Sequence, residues 1–109
     1  MNGNGNVLPP GSTIGILGGG QLGRMIALAA APLGYRCHIF CPDQDSPASQ
    51  VAAASTVAAY DDEQALARFA AAVDVITWEF ENIPAATVEF LEKHKPVRPN
   101  SRALRVSQN

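Results

Sequence analysis

Aromatic residues are scarce, at 6% of the 109-residue chain. A core must therefore come from Ala, Val, Ile and Leu. At 47% hydrophobic content there is enough apolar side chain to build one, which excludes wholesale disorder. An excess of positive charge is also lacking. Eight Lys and Arg stand against ten Asp and Glu, a formal net charge of −2. That leaves no broad basic face to neutralise phosphates, so no nucleic-acid partner is expected. No apolar run reaches the roughly 18 residues of a membrane span. The polar start, residues 1–10, has no apolar signal-peptide centre. A cytoplasmic protein with no membrane partner is expected. At this length the chain holds one domain at most.

Cysteine is limited to Cys37 and Cys41. On a strand, four residues place their Cα atoms about 13 Å apart, beyond the roughly 7 Å reach of a disulfide. They read as reduced thiols on one face of a buried strand. His38 and His94 do not cluster with them, so no metal site is expected.

Residues 1–12 are rich in Gly, Asn and Pro and read as a flexible tail, with the domain over 13–109. Residues 13–17 (TIGIL) predict a buried strand ending in glycines. Residues 21–33 predict a helix, with Leu22, Met25, Ile26, Ala29 and Leu33 on one apolar face and Gly34 as its stop. Residues 36–41 (RCHIFC) predict a second strand, ended by Pro42. Residues 42–47 form a loop, and 48–54 a short helical turn. Residues 55–59 predict a third strand. Asp61 opens the next helix, with Gln64 in a capping-box-like position and Leu66, Phe69 and Ala70 facing inward. Residues 73–78 predict a fourth strand. Pro84 starts a helix running to His94. Residues 96–99 are extended, and Ser101 caps a last helix.

Strands alternate with helices throughout. The expected fold is α/β, a Rossmann-like doubly wound parallel sheet covered on both faces. Ligands in such sheets bind beyond the carboxyl ends of the strands. The loops at Gly18, Pro42 and Glu79 fall there.

The sharpest motif is Gly18-Gly19-Gly20-Gln21-Leu22-Gly23, a G-x-G-x-x-G between a strand and a helix. Its glycines allow a tight turn, and the helix start offers N–H groups and a positive dipole end to an anion. Phosphate binding is the expectation, and a merely structural turn is the plainer alternative. A dinucleotide site would want an acid ending the second strand. Cys41 ends it, and Asp43 lies beyond Pro42, where it reads as a solvated turn residue, with a ribose contact as the alternative.

The second segment is Trp78-Glu79-Phe80-Glu81-Asn82-Ile83-Pro84. A buried strand runs into two carboxylates and an amide. Glu79 and Glu81 share a side if the chain stays extended, and either can accept hydrogen bonds from an amine or hydroxyl. Solvated loop acids, with Asn82 as a helix cap, are an equal alternative. Lys93, Lys95, Arg98, Arg102 and Arg105 follow the last acid, Glu92. They read as a solvated basic face, with a phosphate-bearing ligand or a neighbouring domain as the alternative.

The blocks GILGGGQLGRM (15–25), PDQDSPASQVA (42–52), YDDEQAL (60–66), TWEFENIP (77–84) and PVRPN (96–100) occur in a telling order. Over residues 13–109 the chain resembles the 5-(carboxyamino)imidazole ribonucleotide synthases, ATP-grasp ligases of bacterial and fungal purine synthesis. The resemblance implies the three-layer, Rossmann-like pre-ATP-grasp domain at the amino terminus of these enzymes. It implies a ligase that uses ATP and magnesium to activate bicarbonate and carboxylates the amine of 5-aminoimidazole ribonucleotide. By the same resemblance, Gln21 and Leu22 contact the ribonucleotide at the loop of Gly18, Gly19 and Gly20. Glu79 is the catalytic acid that meets its amine, and Glu81 and Asn82 bind nearby. ATP and magnesium belong to further domains of the family, so this chain alone is expected to be inactive. The full-length enzyme is expected to be a homodimer. Cys41 departs from the family, where many members have an acid. The alternatives are a small NAD- or nucleotide-binding Rossmann module without ligase activity, and a non-catalytic chain that only associates with a partner.

Overall fold

The computed structural model describes residues 8–79 and 83–99. Four strands form one sheet: β1 (Thr13–Leu17), β2 (Arg36–Cys41), β3 (Ala54–Val57) and β4 (Val75–Trp78). All pairings are parallel and the order is β3-β2-β1-β4. Helices α1 (Gln21–Ala30), α2 (Glu63–Ala71) and α3 (Ala85–Glu92) connect or follow them. The doubly wound expectation is met.

Side chains alternate between the two faces of the sheet, as a period of two requires. Ile16, Cys37, Ile39 and Cys41 pack with Ala27 and Ala30 of α1. Leu17, Phe40, Ile76 and Trp78 pack with Leu66 and Phe69 of α2 and Val88 and Leu91 of α3. Both cysteines are buried and free, on one face as expected. Val97 adds a parallel bridge to Ile76, and the Arg98 amide donates 2.8 Å to the Ile76 carbonyl. The extended piece at 96–99 is thereby a short edge addition beside β4. No described helix is long and apolar enough to cross a membrane.

Several local expectations need correction. The inward face of α1 is Gly23, Ala27 and Ala30, with Ile26 half-buried. Leu22, Met25 and Leu33 are 45%, 63% and 66% exposed, and Ala29 is exposed too. Small side chains let the helix sit close on the sheet, which leaves the bulkier apolar face outward. The α-helix ends at Ala30 and a 3₁₀ turn carries on through Leu33. Pro32 has no N–H to continue the ladder. Gly34, at φ 90°, closes the turn as expected.

Residues 47–51 form turns, with no helix there among the described residues. The third strand starts one residue earlier and ends two earlier than expected, and β4 starts two residues later. Asp62, not Asp61, caps α2: its Oδ1 accepts 3.1 Å from the Ala65 amide. Ala65, not Gln64, therefore holds the third helical position. Leu66, Phe69 and Ala70 are buried as expected. Pro84 is the residue before α3 and the helix stops at Glu92, short of His94. The expected helix after Ser101 lies outside the described residues, as do Glu81 and Asn82.

Candidate functional site

The parallel sheet brings its carboxyl-end loops together. β1 runs into the glycine loop, whose Gly18 amide donates 2.9 Å to the Phe40 carbonyl of β2. The loop after β2 is tied back to it, because the Ala48 amide donates 2.9 Å to the Gly19 carbonyl. Ser46 is buried, and its Oγ accepts from the Ser49 amide (3.3 Å) and from the Cys41 thiol (3.6 Å). The approach is close: a Cβ on Gly19 would collide with Ser46 Oγ. At the end of β4 the Glu79 amide donates 3.1 Å to the Leu17 carbonyl, which keeps this acid in register with the glycine loop.

The decisive contact is between Glu79 and α1. The Gly23 amide donates 2.9 Å to Glu79 Oε1. The second oxygen lies over Gly18, where a Cβ would come within 2.5 Å of Oε2. Gly18 also has φ +107°, a conformation that L side chains rarely adopt. The first turn of the helix, a natural anion site, thus receives a carboxylate of the chain itself. A phosphate at the same turn would meet that negative charge at close range. The geometry suits contact of this loop with the hydroxyl or amine part of a ligand better than with its phosphate. The amides of Gln21 and Leu22 precede Gly23 at the same helix start.

A cavity of about 490 Å³ opens beside this contact. Gly19, Gly20, residues 41–47, Tyr60 and Glu79 line it. The three expected loops are therefore brought together, and Asp43 stands on the cavity wall. Among the described residues its charged lining side chains are Asp43, Asp45 and Glu79, all acidic. Asp45 adopts φ 55° at the loop's tip.

Tyr60 was not expected. The β3–α2 connection is a fourth carboxyl-end loop, and a third strand drawn to residue 59 conceals it as the lead-in to a helix. The available signal was topological: any residue following a parallel strand is a candidate. Burial pushes the Tyr60 phenol up to about 12, and Cys41, Glu79 and Asp43 nearby push the same way. It stays protonated in the physiological range.

Lys95 and Arg98 serve elsewhere. Lys95 Nζ donates 2.6 Å to the Val73 carbonyl, at the amino end of β4, opposite the cavity. Arg98 Nη1 donates 3.2 Å to the Val97 carbonyl. Arg102 and Arg105 lie outside the described residues. Among the described residues no group of three or more His, Cys, Asp or Glu is placed to hold a metal ion.

Residues 11–108 match the family model of the ribonucleotide synthetase pre-ATP-grasp domain. The chain belongs to this pre-ATP-grasp family. It is 57% identical over 103 residues to a bifunctional purine synthesis protein purC/E of Dictyostelium discoideum, covering 94% of the chain. It is 56% identical over 102 residues to the N5-carboxyaminoimidazole ribonucleotide synthase of Brucella melitensis, again covering 94% of the chain. A solved structure of N5-carboxyaminoimidazole synthase from Aspergillus clavatus, in complex with ADP and 5-aminoimidazole ribonucleotide, superposes with TM-score 0.78. The identity there is 31%, over 90% of this chain and 26% of that one. The chain spans 10% and 28% of the lengths of the two curated relatives. Membership in the pre-ATP-grasp family does not favour the NAD-module alternative, and neither does the thiol of Cys41 at the end of β2.

Proposed function

We propose that this chain is the ribonucleotide-binding domain of an N5-carboxyaminoimidazole ribonucleotide synthase. That enzyme joins bicarbonate to the amine of 5-aminoimidazole ribonucleotide at the expense of ATP. The carrying observation is the Glu79 carboxylate, held at 2.9 Å by the Gly23 amide on the wall of an acid-lined cavity. One oxygen is fixed by the helix start. The other is available to accept a hydrogen bond from the substrate amine and to aim its nitrogen, a positioning role with help in proton removal. The backbone of Gly18, Gly19 and Gly20, with Gln21 and Leu22, packs against the ribonucleotide. Glu81 and Asn82 complete this subsite in the same reading.

ATP and magnesium would supply the activation of bicarbonate. The described residues offer no metal-ligand group, so they do not fit that role. Cytoplasmic location and a homodimeric full-length enzyme belong to the same proposal.

The test is Glu79→Gln in the full-length synthase. Turnover dependent on 5-aminoimidazole ribonucleotide should fall on the order of 100-fold, with KM for ATP unchanged. Glu81→Gln should do less. Near-normal turnover of Glu79→Gln, or a loss confined to ATP binding, would overturn the assignment.

A further inference from the structure

The β3–α2 connection reaches the cavity from a side that neither the glycine motif nor Glu79 occupies. Tyr60 stands there, half-buried, and packs against both hydrophobic clusters. Its ring leans on Phe40, with centroids 6.1 Å apart and planes at 33°. Its carbonyl oxygen accepts 2.7 Å from the Thr87 hydroxyl, a buried group of α3. Ring and backbone are both held, and the side chain lines the cavity with Cys41, Asp43 and Glu79. Among the described residues none hydrogen-bonds the phenol.

The chemistry of the wall narrows what the phenol can meet. Among the described residues the charged side chains of this wall are Asp43, Asp45 and Glu79, a lining that disfavours a phosphate against it and favours groups that donate hydrogen bonds. On a ribonucleotide those are the amine and the sugar hydroxyls. Glu79 takes the amine in the reading above. Tyr60, kept un-ionised by burial and by its acidic neighbours, can both donate to and accept from a hydroxyl. A carboxylate can only accept.

We propose that Tyr60 is a substrate-binding residue whose phenol hydrogen-bonds a sugar hydroxyl of the ribonucleotide. The proposal rests on the reading that this cavity takes 5-aminoimidazole ribonucleotide.

The test is Tyr60→Phe in the full-length synthase, assayed with 5-aminoimidazole ribonucleotide and its 2′-deoxy and 3′-deoxy analogues. Phe keeps the ring on Phe40. KM for the parent ribonucleotide should rise about fivefold, the loss of one neutral hydrogen bond. KM for ATP and the melting temperature should hold. One deoxy analogue should show a similar loss on the wild type and no further loss on Tyr60→Phe, because the pair is already broken. An unchanged KM in a folded Tyr60→Phe enzyme overturns the proposal. So does a raised KM with fully additive losses for both analogues, which would place the effect on Glu79 and not on the sugar. A wild-type enzyme that does not turn over 5-aminoimidazole ribonucleotide overturns the underlying reading as well. That failure is distinguishable because it precedes any substitution.

Discussion

The Glu79 carboxylate accepts a hydrogen bond from the Gly23 amide across 56 residues of sequence, at 2.9 Å. The contact joins the carboxyl end of β4 to the first turn of α1. One acid thereby neutralises a helix start, fixes its own rotamer and faces the cavity. Its position is set by the sheet, since the Glu79 amide is itself held by the Leu17 carbonyl at 3.1 Å. A rigid carboxylate is what an orienting role needs.

Glu79 should therefore carry stability as well as function. Glu79→Gln keeps an acceptor for Gly23 but removes the charge that complements the helix dipole, a loss of about 0.5–1 kcal/mol. Glu79→Ala also deprives the Gly23 amide of its partner and should cost about 1–2 kcal/mol. Urea denaturation of the three proteins checks the order. Equal stability of wild type and Glu79→Ala would show that the contact does not hold the loop.

Gly18→Ala combines two faults. The residue would have to keep φ +107°, and its Cβ would stand 2.5 Å from Glu79 Oε2. The backbone term alone is about 1–2 kcal/mol. The carboxylate must also move, so affinity for the ribonucleotide should fall along with stability. Calorimetric binding and a denaturation midpoint, measured on the same preparation, test both. A variant as stable as wild type would contradict the geometry.

Asp62→Ala removes the side-chain cap of α2, whose Oδ1 accepts 3.1 Å from the Ala65 amide. About 1 kcal/mol should be lost. Asp61→Ala is the control, and it should be close to neutral. A larger effect at Asp61 than at Asp62 would reverse the cap assignment.

The sheet is the legible part of this chain. The bounds of β1 and β2 follow from short apolar runs closed by glycine and by proline. Alternation with helices then dictates parallel pairing and the edge where loops gather. The inward face of α1 is not legible, because Gly23, Ala27 and Ala30 carry little hydrophobic signal while Leu22, Met25 and Leu33 carry a strong one. Periodicity finds the helix but cannot tell a close-packed small face from a bulky exposed one. The contact between Glu79 and Gly23 is equally hidden. Sequence placed the glycine motif and the acid at one edge, but a helix start prepared for an anion reads as a ligand site until its own carboxylate is seen in it. Tyr60 depends on where β3 ends, and strand ends are set by pairing with β2 that no local pattern encodes.

His38 makes folding sensitive to pH near neutrality. It sits half-buried on β2, with Nε2 2.7 Å from Thr56 Oγ1 of β3 and its ring edge-on to Phe69 at 5.2 Å and 89°. Burial lowers its pKa from the ordinary 6.5, because desolvation penalises the imidazolium. The unfolded chain therefore takes up the proton at a higher pH than the folded one. Above pH 6.5 both states hold a neutral ring and its contribution is complete. As pH falls below 6.5 the unfolded state gains protons first, and stability drops at up to about 1.4 kcal/mol per pH unit. The drop stops once pH lies below the folded-state pKa, where both states are charged. Urea unfolding between pH 5 and 7.5 should show this slope in the wild type and a shallower one in His38→Gln, which cannot titrate. The ring signals of His38 followed by NMR should titrate with a midpoint below 6.5. A midpoint at or above 6.5, or equal slopes in the two proteins, would mean that the ring between Thr56 and Phe69 tolerates the charge.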